Sequence, residues 1–134
     1  MWFDDIVEIK FSYCPASLFW LNGFAHIVFR TLNAQKRLIT AKQFSPDLFF
    51  DLIKKYRINE ASLYAPLLKL LVESPKFETA DFSNFNMISS GGFATPIRFC
   101  QIFREKLVNG KFVVGYGLSE TGGVSTKVRY YNNT

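Results

Sequence analysis

The sequence predicts an α/β fold in which strands and helices alternate around a largely parallel sheet. Short β-prone segments alternate with apolar or amphipathic segments that are long enough for helices. Hydroxyl, proline and glycine residues mark most of the boundaries between them. Because parallel neighbours in a sheet need crossover connections, and helices supply them, this alternation favours a parallel sheet. The 134 residues, 49% of them apolar, are enough for one domain with a core.

The predicted elements follow one another along the chain as strand, helix, strand, helix. The strands are expected at 6–13, 37–41, 60–64, 86–90 and 111–116. The helices are expected at 17–32, from Ser45-Pro46 onward, from Pro66 to the Ser74-Pro75 boundary, and at 95–108. Glycine-containing turns are expected after Ser90 and after Val114, at the carboxyl ends of two strands, where ligands bind in such sheets.

Local signals support three of the helices. In the first helix, Gly23 predicts an interruption or tight packing. In the second, Ser45 can cap the amino terminus, with Pro46 at the first helical position and Asp47 in the first turn. The third is apolar nearly all round, which predicts that it is covered on several sides. Its apolar residues are Leu67, Leu68, Leu70, Leu71 and Val72.

The charge pattern argues against a nucleic-acid partner. The formal net charge is +5, but the longest basic runs are the pairs Lys36-Arg37 and Lys54-Lys55. A nucleic-acid module is expected to show a basic stripe on one face. We therefore expect the charges to lie on solvated surfaces.

Other composition features predict a reduced, intracellular chain, cytoplasmic or peroxisomal. Cys14 and Cys100 are far apart and suggest neither a zinc site nor a disulfide framework. The apolar stretch 16–29 is too short for a membrane span. The carboxyl terminus, Tyr-Tyr-Asn-Asn-Thr, lacks a Ser-Lys-Leu type of peroxisomal address.

The segment from Gly115 to Gly123 contains the residue types that a nucleotide site needs. Its glycines allow a ligand to approach the backbone, and Tyr116 can cover a purine ring. The Ser119 hydroxyl can donate to a phosphate oxygen, and the Glu120 carboxylate suits Mg²⁺ held between phosphates. Taken without other information, Glu120 would be a solvated loop carboxylate.

Two motifs in order carry a resemblance to a known family. YGLSETGG at 116–123 is similar to the Tyr-Gly-x-Ser/Thr-Glu signature of adenylate-forming (AMP-binding) enzymes, and SSGGFATP at 89–96 precedes it at a similar spacing. The stretch RLITAKQFSPDLFFDLIKKYRI at 37–58 also resembles them. The likeness extends from about Phe11 to Ser125 and is nearest in look to 4-coumarate-CoA ligases and insect luciferase-like acyl-CoA synthetases.

The resemblance implies a chemistry in two steps. A carboxylate attacks the α-phosphate of ATP to give an acyl-adenylate and pyrophosphate, and a thiol such as that of coenzyme A then takes the acyl group. Mg²⁺ and hydroxyl donors would stabilise the charge that builds on the phosphate. The implied partners are thus a small carboxylic acid, ATP, Mg²⁺ and coenzyme A.

The resemblance also implies a role for individual residues. Ser119 and Glu120 would be catalytic, with Ser119 binding phosphate and Glu120 holding Mg²⁺. Adenine would lie between Tyr116 and the opposite turn, and the nucleotide-binding set would be Gly92, Phe93, Ala94, Tyr116, Gly117, Leu118 and Ser119. The acid pocket would be lined by Trp20, Ser89, Gly91, Gly115 and Gly122.

The chain departs from the family pattern at several positions. Trp20 stands where the family has an aromatic residue or histidine. Two interpretations of Trp20 stay open, a wall of the acid pocket or a residue of the hydrophobic core. Phe93 and Ala94 replace the more usual small residue and proline. The single histidine, His26, is expected at a core or boundary position rather than as a general base.

Residues 1–134 are therefore expected to form a partial AMP-binding (adenylation) domain that lacks the phosphate loop and the C-terminal domain of the parent enzyme. Two functions remain open. The chain is either a fragment of an ATP-dependent acid–thiol ligase, or a non-catalytic truncated product with weak nucleotide or protein binding.

Overall fold

The fold is an α/β arrangement around one six-stranded sheet, seen in a computed structural model that describes residues 11–32, 36–38 and 42–131. The strands are β1 (Phe11–Tyr13), β2 (Lys36–Leu38), β3 (Glu60–Ser62), β4 (Met87–Ser90), β5 (Lys111–Leu118) and β6 (Gly123–Tyr131). The helices are α1 (Leu21–Leu32), α2 (Pro46–Tyr56), α3 (Ala65–Glu73) and α4 (Ile97–Lys106). Short 3-10 helices lie at Pro75–Phe77 and Ser119–Thr121. The predicted fold class is confirmed.

The sheet is parallel except at one edge. Its strand order is β2-β1-β3-β4-β5-β6, and every neighbouring pair from β2 to β5 is parallel. The last pair, β5 with β6, is an antiparallel hairpin that the sequence did not predict. Because β3, β4 and β5 are parallel neighbours, their carboxyl ends lie side by side at one edge of the sheet.

One face of the sheet carries the hydrophobic core. Tyr13, Ala61, Ile88 and Phe112 occupy the same register position on four adjacent strands, and all four are buried. Helices pack on this face: the Phe49 ring of α2 lies 6.1 Å from that of Tyr13, and the Phe103 ring of α4 stacks at 5.4 Å on Phe112. Eight phenylalanines of the described residues are buried in total, so this residue type supplies much of the core.

The opposite face carries buried polar residues in the adjacent row. Ser12, Glu60, Met87 and Lys111 are in register across the same four strands, and Ser12, Glu60 and Lys111 are buried. Buried charged groups are costly unless they are paired and hydrogen-bonded. The burial of these residues shows that this face of the sheet is covered too, as expected for a parallel sheet.

The signals at the helix ends have the predicted effect. Leu48 N donates to Ser45 Oγ at 3.2 Å, so Ser45 caps α2. Arg57 ends this helix in the left-handed conformation, with φ of 49°. In α1, Gly23 is buried, and a Cβ atom there would collide with the Ser17 carbonyl oxygen, so the close packing is confirmed.

The boundaries of several elements differ from the prediction. Helix α1 begins at Leu21 rather than at residue 17, because residues 17–20 form a turn in which Trp20 N donates to Ser17 O at 3.0 Å. Strand β5 runs on to Leu118, so the turn predicted after Val114 is wrong: pairing with β6 keeps the chain extended there. The predicted strand residues 6–10 and 39–41 lie outside the described residues.

The prediction that α3 is covered on several sides is also wrong. Its buried residues, Ala65, Leu67, Leu68 and Leu71, lie on one side. Leu70 is exposed, together with its neighbour Lys69. A helix with apolar residues on every side is fully buried only where other parts of the protein also cover the side that faces away from the core.

Two further expectations concern cysteines and membranes. Cys14 and Cys100, both in the described part of the chain, are buried and form no disulfide, as predicted. Among the helices within residues 11–32 and 42–131, none is long and apolar enough to cross a membrane.

Candidate functional site

The residues predicted to bind ligands follow the carboxyl ends of β4 and β5. The turn Gly91–Ala94 leaves β4, and residues 115–120 form the outer end of β5 and the short helix after it. Since β4 and β5 are parallel neighbours, with Ser90 paired to Val114, the two segments leave the sheet side by side. The two segments therefore lie at one edge of the sheet, although the second is a continued strand and not the predicted turn.

A close approach of two glycines joins these segments. A Cβ atom added at Gly91 would lie 2.9 Å from the Gly115 carbonyl oxygen, closer than real Cβ atoms come to a backbone oxygen. Any larger residue at position 91 would push the turn away from β5. Gly91 is therefore required by packing between the two segments, whatever ligand they bind.

The turn after β4 is shaped by Gly92. Its φ of 77° lies in the left-handed region, while the space around its missing Cβ is open. Glycine adopts this conformation without the steric cost that other residues meet. The reversal at Gly92 leaves Phe93 and Ala94 exposed on the outer side of the edge.

Three aromatic rings form a connected series along the same edge. The Tyr64 ring lies 5.9 Å from that of Trp20 and 5.6 Å from that of Phe93. Trp20 is 50% exposed and Phe93 is 53% exposed, so neither is a core residue. Of the two alternatives for Trp20, the core is excluded, and its ring lies at the edge where a ligand pocket is expected.

The outer end of β5 is a hairpin rather than an open loop. Tyr116 pairs with Thr126, and a register shift follows before Gly117 pairs with Val124 and Leu118 with Gly123. Tyr116 is 63% exposed, and no aromatic ring within the described residues is paired with it. A ring held this way on a paired strand can stack on a planar ligand at little entropic cost.

Ser119 and Glu120 lie at the tip of this hairpin. They form a 3-10 turn with Thr121, and Gly122, with φ of 72°, accepts the left-handed position that reverses the chain. Thr121 Oγ1 donates to Leu118 O at 2.9 Å and accepts from Leu118 N at 3.3 Å, which fastens the turn internally. The side chains of Ser119 and Glu120 remain exposed to solvent.

The side chains at the tip suit a Mg²⁺ ion that is shared with phosphate groups better than a metal ion whose ligands are all protein side chains. No group of three or more His, Cys, Asp and Glu side chains within the described ranges could hold a metal ion. Mg²⁺ commonly takes one or two carboxylates together with phosphate oxygens and water. The exposed Glu120 carboxylate could supply the protein ligand when phosphates supply the others.

Ser89 and Gly115 lie deeper in the sheet. Ser89 is a partly buried β4 residue whose Oγ is 3.5 Å from the Ala61 carbonyl oxygen, and its own carbonyl accepts from Leu63 N at 2.8 Å. Gly115 is within β5 and pairs with Lys127. Their assignment to an acid pocket stays a prediction, as do the other assigned roles.

Sequence reasoning missed three residues that contact the predicted site. Tyr64 links Trp20 to Phe93, and the Ser90 and Thr95 hydroxyl oxygens lie 2.9 Å apart across the base of the turn after β4. Tyr64 could have been found, because it follows β3 at the same edge of the sheet. The Ser90–Thr95 contact had a weaker signal, two hydroxyls flanking a glycine turn.

A family model described as AMP-binding enzyme matches residues 5–133. The chain belongs to this family. Among curated relatives of this AMP-binding chain, 4-coumarate-CoA ligase 1 of Narcissus pseudonarcissus is 26% identical over 121 residues, which are 90% of this chain and 21% of the relative. The chain thus spans about a fifth of the length of the curated relatives that it matches.

Solved structures share the fold of the AMP-binding chain. The N-terminal domain of FACL13 from Mycobacterium tuberculosis superposes with a TM-score of 0.81 over 92% of this chain and 31% of that one, at 22% identity. O-succinylbenzoate coenzyme A synthetase from Bacillus subtilis, solved in complex with ATP and magnesium ion, gives a TM-score of 0.75 over 93% and 25%, at 18% identity. The resemblance inferred from the two motifs is confirmed at the level of family and fold.

Proposed function

We propose that this chain contributes part of the site of an ATP-dependent acid–thiol ligase, which activates a carboxylic acid as its acyl-adenylate and transfers it to coenzyme A. One observation carries the proposal: Gly91, in the turn after β4, lies so close to β5 that an added Cβ atom would be 2.9 Å from the Gly115 carbonyl oxygen. Both segments come from the motifs that led to the family. In this reading residues 1–134 are part of an adenylation domain.

The nucleotide would bind between the two segments. Tyr116 offers an exposed ring, and the exposed turn Gly92–Ala94 offers backbone groups and the Phe93 ring for the other side of the base. Stacking of a purine on an aromatic ring contributes roughly 1–3 kcal/mol in nucleic-acid sites. Gly117 and Leu118 would continue the wall toward the phosphates.

The charge that develops on the α-phosphate would be met at the hairpin tip. As the acid's carboxylate oxygen attacks phosphorus and pyrophosphate leaves, the Ser119 hydroxyl would donate to a phosphate oxygen. Bound Mg²⁺ would neutralise phosphate charge, and Glu120 would hold it. Donors placed where charge develops lower the barrier more than those that bind the ground state.

The carboxylic acid substrate would lie between the nucleotide and the sheet. Trp20, Ser89, Gly91, Gly115 and Gly122 are the proposed lining. Trp20 supplies a fixed indole ring in place of a titratable side chain, so its contribution is shape and apolar contact. The aromatic contact with Tyr64 holds that ring at the edge of the sheet.

The test is calorimetric titration of the purified chain with MgATP and with a sulfamoyl analogue of an acyl-adenylate. We expect saturable binding that Tyr116→Ala weakens for both ligands, because the stacking surface is lost. Glu120→Ala should remove the Mg²⁺-dependent part of ATP binding and spare the analogue, which carries no β- or γ-phosphate. Glu105→Ala, an exposed carboxylate on α4, is the matched control and should bind as the parent does.

A pyrophosphate-release assay with fatty and cinnamic-type acids separates the two functions left open by the sequence. Binding without release would favour a nucleotide-binding role for the 134-residue chain, and release would favour the ligase. Equal binding by Tyr116→Ala, Glu120→Ala and the parent would contradict the proposed site.

A further inference from the structure

The turn after β4 is closed at its base by two hydroxyl groups. Ser90 Oγ lies 2.9 Å from Thr95 Oγ1, and either atom can donate. Ser90 is 3% exposed and Thr95 is partly buried, so water competes little for this hydrogen bond. The contact spans the residues that the proposed function assigns to the adenine side of the site.

The tip of the same turn is supported from the neighbouring strand. The Tyr64 ring lies 5.6 Å from the Phe93 ring at an interplanar angle of 33°. Tyr64 is itself placed by the backbone, because Leu63 N donates to Ser89 O at 2.8 Å and ties the end of β3 to β4. On its other side Tyr64 contacts Trp20.

These contacts act on a segment that would otherwise have wide conformational freedom. Two consecutive glycines, Gly91 and Gly92, give the turn more accessible backbone states than other residues would. Ordering such a segment when a ligand binds costs free energy that a pre-formed turn does not have to supply. The Ser90–Thr95 contact at the base and the Tyr64–Phe93 contact at the tip therefore favour ligand binding by ordering the turn in advance. Tyr64, Ser90 and Thr95 need not touch the ligand for this effect.

We propose that Tyr64, Ser90 and Thr95 are positioning residues that hold the Gly91–Ala94 turn in its ligand-binding conformation before the nucleotide arrives. This inference rests on the proposed function, since it takes the turn as part of the nucleotide site. None of the three residues belongs to the set that the sequence motifs assign to the ligand.

The test uses two pairs of variants of the whole chain. Thr95→Val removes the hydroxyl at nearly constant shape, and Thr95→Ser keeps it. Tyr64→Leu removes the ring, and Tyr64→Phe keeps it. AMP is the binding probe, measured by calorimetry, and backbone ¹⁵N order parameters of Gly92, Phe93 and Ala94 are measured in the free chain.

We expect Thr95→Val and Tyr64→Leu each to raise the Kd for AMP roughly three- to tenfold, which corresponds to one hydrogen bond or one aromatic contact. The order parameters of the turn should fall in the free chain. Thr95→Ser and Tyr64→Phe should restore both readouts. Thr95→Val should also lower the thermal unfolding midpoint modestly, because it leaves the buried Ser90 hydroxyl without its partner, and so should Tyr64→Leu, because Tyr64 packs against the core.

Two outcomes would overturn the inference. Unchanged order parameters and unchanged AMP affinity in Thr95→Val and Tyr64→Leu would show that the turn needs neither fastening. Equal losses in the conservative and disruptive variants would show that the hydroxyl and the ring are not the active features. If the parent bound no AMP, the proposed function would fail by itself, and the order parameters would still decide whether these residues fasten the turn.

Discussion

Gly91 approaches Gly115 so closely that a methyl group on Gly91 would lie 2.9 Å from the Gly115 carbonyl oxygen. This contact holds the glycine turn after β4 against the outer end of β5. It brings one of the two sequence motifs that indicated the family against the residue that directly precedes the other, and it predicts different effects for substitutions at the two adjacent glycines of the turn.

Gly91→Ala should destabilise the chain and weaken nucleotide binding, because the new methyl group must displace the backbone of β5 or of the turn. Overpacking of this kind typically costs about 1–3 kcal/mol of unfolding free energy. Urea unfolding of parent and variant measures the change. Gly92→Asn is the matched control: the space there is open, and asparagine tolerates the left-handed φ of 77°. A Gly91→Ala chain as stable as the parent would mean that the two segments separate freely.

Ser45→Ala should lower the free energy of unfolding by about 1 kcal/mol, because Leu48 N would lose the side-chain oxygen that caps α2. Ser45→Asp supplies another capping oxygen and should unfold close to the parent. Urea denaturation curves with a common slope make the comparison. Equal stability of the alanine and aspartate variants would show that water satisfies this amide equally well.

Tyr13→Phe should stabilise the chain at neutral pH. The Tyr13 hydroxyl is buried and has no hydrogen-bond partner among the described residues, and an unsatisfied buried group costs about 1–3 kcal/mol. Chemical denaturation of both chains at neutral pH measures the difference. A less stable phenylalanine variant would indicate that the hydroxyl contributes a favourable contact.

The stability of the parent should also depend on alkaline pH through Tyr13. Burial, with a smaller contribution from the neighbouring Cys14, raises the pKa of Tyr13 from 10.0 to about 12. The unfolded chain then loses its proton at lower pH than the folded chain, so stability falls between these values as pH rises. The advantage of Tyr13→Phe should therefore grow by about 1 kcal/mol near pH 11. A constant difference between the two chains from neutral to alkaline pH would contradict the raised pKa.

The isolated chain should self-associate through the apolar residues that precede and begin α1. Phe19 is 99% exposed, and Leu18 and Phe24 are also exposed, which forms an apolar surface of the kind that promotes association. Phe19→Ser should shift the chain toward monomer in light scattering across a concentration series, with little change in unfolding free energy. Lys54→Ser, an exposed substitution on α2, is the control. A monodisperse parent at every concentration would contradict the prediction.

Local sequence signals predicted the alternation of elements well. Ser45, Pro46 and Asp47 located the start of α2, and Gly23 indicated a close backbone contact in α1. These features depend on residues within one or two turns of each other, and such short-range chemistry can be read from the chain directly. The family signature is equally local, because its two motifs are short contiguous runs.

The hairpin of β5 and β6 could not be read in this way. The glycine after Val114 suggested a turn there, yet β5 continues to Leu118 because the returning chain offers hydrogen-bond partners at positions 123–131. For the same reason Leu70, apolar in an apolar helix, is exposed: nothing in its own neighbourhood tells whether a second layer covers it.

The sequence by itself determined the fold class, the family and the residue types at the sheet edge, since each depends on patterns within single segments. Only the tertiary structure decided which segments meet. Trp20, Tyr64 and Phe93 come from three separate parts of the chain, and Tyr64 contacts the other two because β1, β3 and β4 are adjacent and parallel. Adjacency in a parallel sheet is set by the packing of the helical crossovers on the whole core, a property of all the residues together that no local pattern records.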